Sequence, residues 1–149
     1  MTLLEKQQEL MAALAAIKDG QERFAWLINK GKSQPAIPAP QKNQENRVEG
    51  CLSNLWFVSE YRDGRCWFRS DADSLIVKAI AGLLCDFYNG SHPREILKVD
   101  PSFLAQVGIN QHLTPNRRNS LSKVWTRIYG FASACLESEA KEDRPVLVS

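Results

Sequence analysis

The Asp63–Gly64 pair, set between LWFVSEYR and RCWF, constrains the fold of this chain more than any other feature. Asp-Gly is the composition of a tight two-residue hairpin turn, and the aromatic and branched residues on either side favour strands. A short antiparallel hairpin is therefore expected in the middle of the chain. The sequence on both sides of it has a helical period instead.

Before the hairpin, Leu3, Leu10, Met11, Leu14 and Ile17 share one helical face that Gln7 interrupts, and Asp19 stands where a helix cap belongs. A second helix is expected over about 20–30, with Phe24, Leu27 and Ile28 inward and Gly31 as its stop. SQPAIPAPQKNQEN follows, in which Pro35, Pro38 and Pro40 remove backbone donors and stiffen an extended connector.

After the hairpin, SDADSLIVKAIAGLLCDFYNG opens with small polar capping residues and sets Ile76, Val77, Ile80, Leu83, Leu84, Phe87 and Tyr88 on one broad helical face. SHPREILKVD and PSFLAQVG read as two short helices, the first with Ser91 as its cap and Pro93 in its first turn. Thr114 and Pro115 then cap and begin a long helix with Leu121, Val124, Trp125, Ile128, Ala132 and Cys135 inward. A single domain over 1–140 is expected, with 141–149 as a tail.

Helices, a hairpin, then helices again make an α+β layout, a small antiparallel sheet covered on one side by helices. The order is not the alternating βαβα of a nucleotide-binding sheet, and neither GxGxxG nor GxxxxGK occurs. A chain of 149 residues can build a core without disulfides or metal. Its net charge of +2 is too small to argue for a nucleic acid partner, and no apolar stretch is long enough to span a membrane. The N-terminus lacks the pattern of a signal peptide, so the cytoplasm is the expected location. A reducing compartment disfavours disulfides among Cys51, Cys66, Cys85 and Cys135, and no CxxC pair suggests zinc.

The candidate chemistry lies in RVEGCLSNLWFV. Cys135 falls inside the apolar stripe of the last helix and Cys66 stands beside Trp67 and Phe68, so both read as packing residues; Cys85 falls at the edge of its stripe. Cys51 differs, because it stands between a polar connector and a strand, after a glycine that gives the backbone freedom. A reactive thiol is helped by a nearby cation, and the candidates are His112, Arg117 and Arg118. A Cys51–His112 thiol hydrolase is a minor alternative, for which neither an oxyanion-hole motif nor a third orienting residue is identifiable.

NRVEGCLSNLWFV, SDADSLIVKAIAGLL and QHLTPNRRNSL, in that order and with GKSQPAIP upstream, resemble the SufE/CsdE family of sulfur acceptors for cysteine desulfurases. The similarity runs from about residue 20 to 135. It implies the SufE/NifU (IscU-like) fold and makes Cys51 the thiol that receives sulfane sulfur as a persulfide, with Gly50 letting its loop move. Asp71 and Asp73 match the acidic pair that opens the family's central helix. His112, Leu113, Thr114, Pro115 and Arg117 match the start of its last helix, where Arg117 is the expected electrostatic neighbour of the loop.

Ala79 and Ser120 stand where the family usually carries glycine. Leu52, Leu55 and Trp56 are the expected apolar shelter for the loaded sulfur. The resemblance further implies a stoichiometric sulfur-transfer protein that raises the turnover of a pyridoxal-phosphate cysteine desulfurase of SufS or CsdA type. It would hand its sulfur on to an iron–sulfur scaffold such as SufBCD. No cofactor is implied on this chain, pyridoxal phosphate belonging to the partner. The shared fold keeps an iron–sulfur scaffold as the alternative, which requires several converging thiolates.

Overall fold

A computed structural model describes residues 1–142; of the tail expected over 141–149, residues 143–149 lie outside the described residues. Strands β1 (Leu55–Arg62) and β2 (Arg65–Ala72) pair antiparallel from Leu55↔Ala72 to Arg62↔Arg65. Asp63 and Gly64 both take positive φ, 55° and 77°, which is what a type I′ turn demands and what Asp-Gly tolerates. Because side chains alternate across a strand, Leu55, Phe57, Cys66, Phe68 and Ser70 turn inward and are buried. Phe57 stacks on Phe68 at 5.6 Å, and Phe131 of the last helix meets Phe68 edge-on.

Helices α1 (Leu3–Ala15) and α2 (Gly20–Gly31) precede the hairpin, and α3 (Leu75–Tyr88), α4 (Pro93–Lys98), α5 (Phe103–Gln106) and α6 (Pro115–Glu142) follow it. Ser74 caps α3 by accepting from the Val77 amide. The burial of α3 goes beyond the expected stripe: Ala79, Ala81, Gly82 and Cys85 are buried as well, since α2, the sheet and α6 all pack on it. The approach of α2 is close enough that a Cβ on Gly31 would overlap the Ala79 carbonyl, and one on Gly82 would overlap the Gly31 carbonyl. Ala79 and Ser120, the two positions that depart from the family's usual glycine, are 1% and 4% exposed, so their side chains fit within the packing.

Arg23 closes the corner between α1 and α2, donating to the Leu14 and Ile17 carbonyls and, across the fold, to the Val107 carbonyl at 3.0 Å. The cap of α4 is His92 rather than Ser91: its Nδ1 accepts from the Arg94 amide at 3.1 Å. Ser91 is occupied elsewhere, its carbonyl accepting from the Cys66 amide at the edge of β2. Thr114 accepts from the Arg117 amide at the start of α6, as its position before Pro115 predicts. Val124, Ile128, Ala132 and Cys135 of α6 are buried, and Trp125 stacks on Tyr88 at 5.3 Å. Among the described residues no helix is long and apolar enough to cross a membrane.

Candidate functional site

Residues 49–54 form a loop whose two ends meet, because the Val48 amide donates to the Leu55 carbonyl at 2.8 Å. The Phe57 amide donates to the Asn46 carbonyl just below, and Val48 and Leu55 are buried, so the base of the loop is fixed to the sheet. Cys51 rides on this loop, half-buried, its inner side packed on the edge of the core. Gly50 has φ +84°, a left-handed conformation that a side chain would strain.

The loop is tied down on both sides of the thiol. Asn54 Nδ2 donates to Asp73 Oδ2 at 2.8 Å, and the Asp73 amide returns a bond to the Asn54 carbonyl at 3.1 Å. Upstream, Asn119 Nδ2 of α6 donates to the Gly50 carbonyl at 2.9 Å, and the Lys123 side chain lies alongside Gly50. Leu52 differs from the expected shelter: it is 83% exposed, pointing into solvent beside the thiol. Leu55 is buried beneath the loop, and Trp56 is half-buried with the Lys42 ammonium over its ring.

Asp71 has another task. It accepts from the Ile37 amide at 3.1 Å and the Ala72 amide at 2.9 Å, and pairs with Lys42 at 3.3 Å and Lys78 at 3.6 Å. Burial by itself would raise its pKa, but the two amides and two ammonium groups outweigh it and hold the carboxyl below its ordinary value. The carboxylate thereby pins the proline connector to the sheet and to α3.

The remaining expected residues are placed elsewhere or stand unengaged. His112 stacks on Phe24 at 5.4 Å beside Gly20, so the contacts that hold it are with α2. Arg118 donates to the Asn110 and Leu113 carbonyls, closing the turn before α6. No hydrogen bond or ion pair holds the Arg117 guanidinium among the described residues. The cation beside Gly50 is Lys123, which sequence reasoning missed. Its signal was available as spacing: Asn119, Lys123 and Arg127 recur every four residues, off the apolar stripe of α6.

All four cysteines are free. Burial pushes the Cys66 and Cys85 thiols up to about 12, and raises that of Cys135. A thiol so held is rarely a thiolate, the form that reacts. Cys51 alone of the four is half-open. Among the described residues no three His, Cys, Asp or Glu side chains come together as metal ligands. Of the four thiols, the arrangement offers one that is half-open, on a fastened loop.

Residues 8–132 match the family described as SufE, Fe-S metabolism associated domain. The chain is 31% identical over 139 residues to "SufE-like protein 1, chloroplastic/mitochondrial" of Arabidopsis thaliana; that similarity covers 93% of this chain and 37% of the plant protein. It is 30% identical over 107 residues to an uncharacterized SufE-like protein of Synechocystis, covering 72% of this chain and 67% of the other. A SufE-like protein of Rhizobium meliloti is 26% identical over 133 residues, covering 86% and 95%. The solution structure of a hypothetical protein from Thermus thermophilus superimposes with a TM-score of 0.73 at 22% identity, over 89% of this chain and 96% of that one, which establishes a shared fold. With the family match spanning most of its length, the chain belongs to the SufE family, whose domain is associated with Fe-S metabolism.

Proposed function

We propose that this protein accepts sulfane sulfur from a pyridoxal-phosphate cysteine desulfurase of SufS or CsdA type, as a persulfide on Cys51, and passes it on for iron–sulfur cluster assembly by a scaffold such as SufBCD. The observation that carries the reading is that Cys51 is the one half-open thiol of four and sits on a loop at the edge of the core, closed at its base by a backbone bond. A sulfur acceptor needs that combination, since its thiol must enter another protein's active site while its own fold stays intact.

The chemistry is thiol exchange. The Cys51 thiolate attacks the outer sulfur of the partner's cysteine persulfide, a new S–S bond forms on Cys51, the old one breaks, and the partner's cysteine leaves as a thiolate. No electrons are gained or lost overall. Pyridoxal phosphate generates the persulfide on the partner, and this chain contributes the nucleophile and its carriage. Free thiols suit a reducing compartment, and the cytoplasm is our reading of the location.

Cysteine turnover by the desulfurase, followed as alanine release, is expected to rise when the protein is added and to stay at the basal rate with Cys51→Ser. Equal stimulation by Cys51→Ser would overturn the role given to the thiol.

A further inference from the structure

The stripe Asn119, Lys123 and Arg127 meets the chain leading into Cys51 along its whole approach. A spacing of four stacks these side chains on one side of α6. Ser120, Val124 and Ile128, on the neighbouring face, are buried, whereas Asn119 and Lys123 are exposed and Arg127 is half-buried. Arg127 Nη2 donates to the Arg47 carbonyl at 2.8 Å, and Asn119 Nδ2 to the Gly50 carbonyl at 2.9 Å. Between them, a Cβ built on Gly50 would stand 3.1 Å from Lys123 Cε and 3.4 Å from Nζ. The missing side chain at Gly50 thus serves both a left-handed turn and the close passage of a lysine.

We infer that Asn119, Lys123 and Arg127 are positioning residues that seat the cysteine loop on α6, and that Cys51 reaches its sulfur donor when this stripe lets go. The inference rests on the reading of Cys51 as a sulfur acceptor and adds the device that holds it. Two kinds of fastening differ in strength here. The base of the loop is closed by a backbone bond between buried residues, Val48 and Leu55, and stays with the sheet. The stripe holds by side-chain bonds to two carbonyls, a part-buried one at Arg47 and an exposed one at Gly50, and a donor on a partner can replace the bond at Gly50. Release therefore frees the chain around Gly50 and Cys51, between the closed base and the Asn54–Asp73 pair, without disturbing the core. Lys123 adds charge to the seat, since a thiolate or persulfide on the adjacent residue is negative and is attracted to the ammonium.

The test uses the isolated protein and maps alkylation by peptide mass. With a bulky polyethylene-glycol maleimide, the rate at Cys51 is expected to rise about tenfold in Asn119→Ala/Arg127→Met, as one exposed and one part-buried hydrogen bond are lost. Labelling of buried Cys66 should stay slow, and Arg127→Lys should restore part of the closed-loop rate. For the charge, the ratio of iodoacetate to iodoacetamide rates at Cys51 should fall in Lys123→Met and return in Lys123→Arg. Unchanged Cys51 rates in the double variant, or an equal rise at Cys66 signalling general loosening, would overturn the seat; an unchanged reagent ratio would overturn the role of Lys123. No desulfurase enters this assay. Failure of sulfur transfer with the expected labelling pattern would therefore refute the acceptor reading and leave the loop seat standing.

Discussion

A carboxylate that is 4% exposed is stable only among partners, and Asp71 has two amides and two ammonium groups. Asp71→Asn is expected to cost about 2 kcal/mol of unfolding free energy, the scale of losing charged hydrogen bonds at a buried group. The pH dependence has a definite sign. These partners hold the folded-state pKa below the value of about 3.9 in an unfolded chain, so the stabilisation is complete above about pH 5 and is lost as pH falls through the folded value. Urea unfolding of wild type and Asp71→Asn between neutral pH and pH 3 should show their difference shrinking in acid; a difference that grew in acid would contradict this account. The residue scale is also where the sequence was least complete. Cys51 and Gly50 stood out because both lie within one short stretch, but Lys123 and Asn119 matter through contacts with a segment far away in the chain: a spacing of four puts them on one face of α6, and only the fold shows what that face meets. His112 shows the converse, a histidine near a helix start whose ring is spent on packing against Phe24.

Elements were more legible, since each is written in a local period. The Asp-Gly turn, the apolar stripe of α6 and the Thr114–Pro115 start of that helix all follow from spacing and turn chemistry. The cap of α4 was misplaced by one residue because Ser91 is the better intrinsic cap, yet its pairing with Cys66 leaves His92 in the extended backbone that precedes Pro93. The broad burial of α3 was hidden for a similar reason, since a helix covered on several sides owes that to its neighbours. The crossing of α2 and α3 leaves no room at Gly82. Gly82→Ala is expected to destabilise by about 1–3 kcal/mol despite alanine's better helix propensity, because a methyl there meets the Gly31 carbonyl and the Gln34 side chain. A urea midpoint that rose instead would show that the helices separate at no cost.

At the scale of the molecule, the two ends of the hairpin are treated differently. Near the Asp63–Gly64 turn, Tyr61 and His92 both reach Glu139 of α6, and Cys66 packs into the core, so that end is bound to the last helix. At the other end the strands open into the 49–54 loop, held by Asp73 on one side and Asn119 on the other. The α+β order was readable from the alternation of periods, but the contrast between a closed end and an openable one exists only once α6 lies along both. A molecule built in this way has one half-open thiol to offer, and the proposed role rests on it. Intact-mass spectrometry after mixing the protein with a cysteine desulfurase and cysteine tests that claim most directly: the wild type should gain the mass of one sulfur atom, lose it to reductant, and Cys51→Ser should gain none. A sulfur gained equally by Cys51→Ser, or no gain by the wild type, would contradict it.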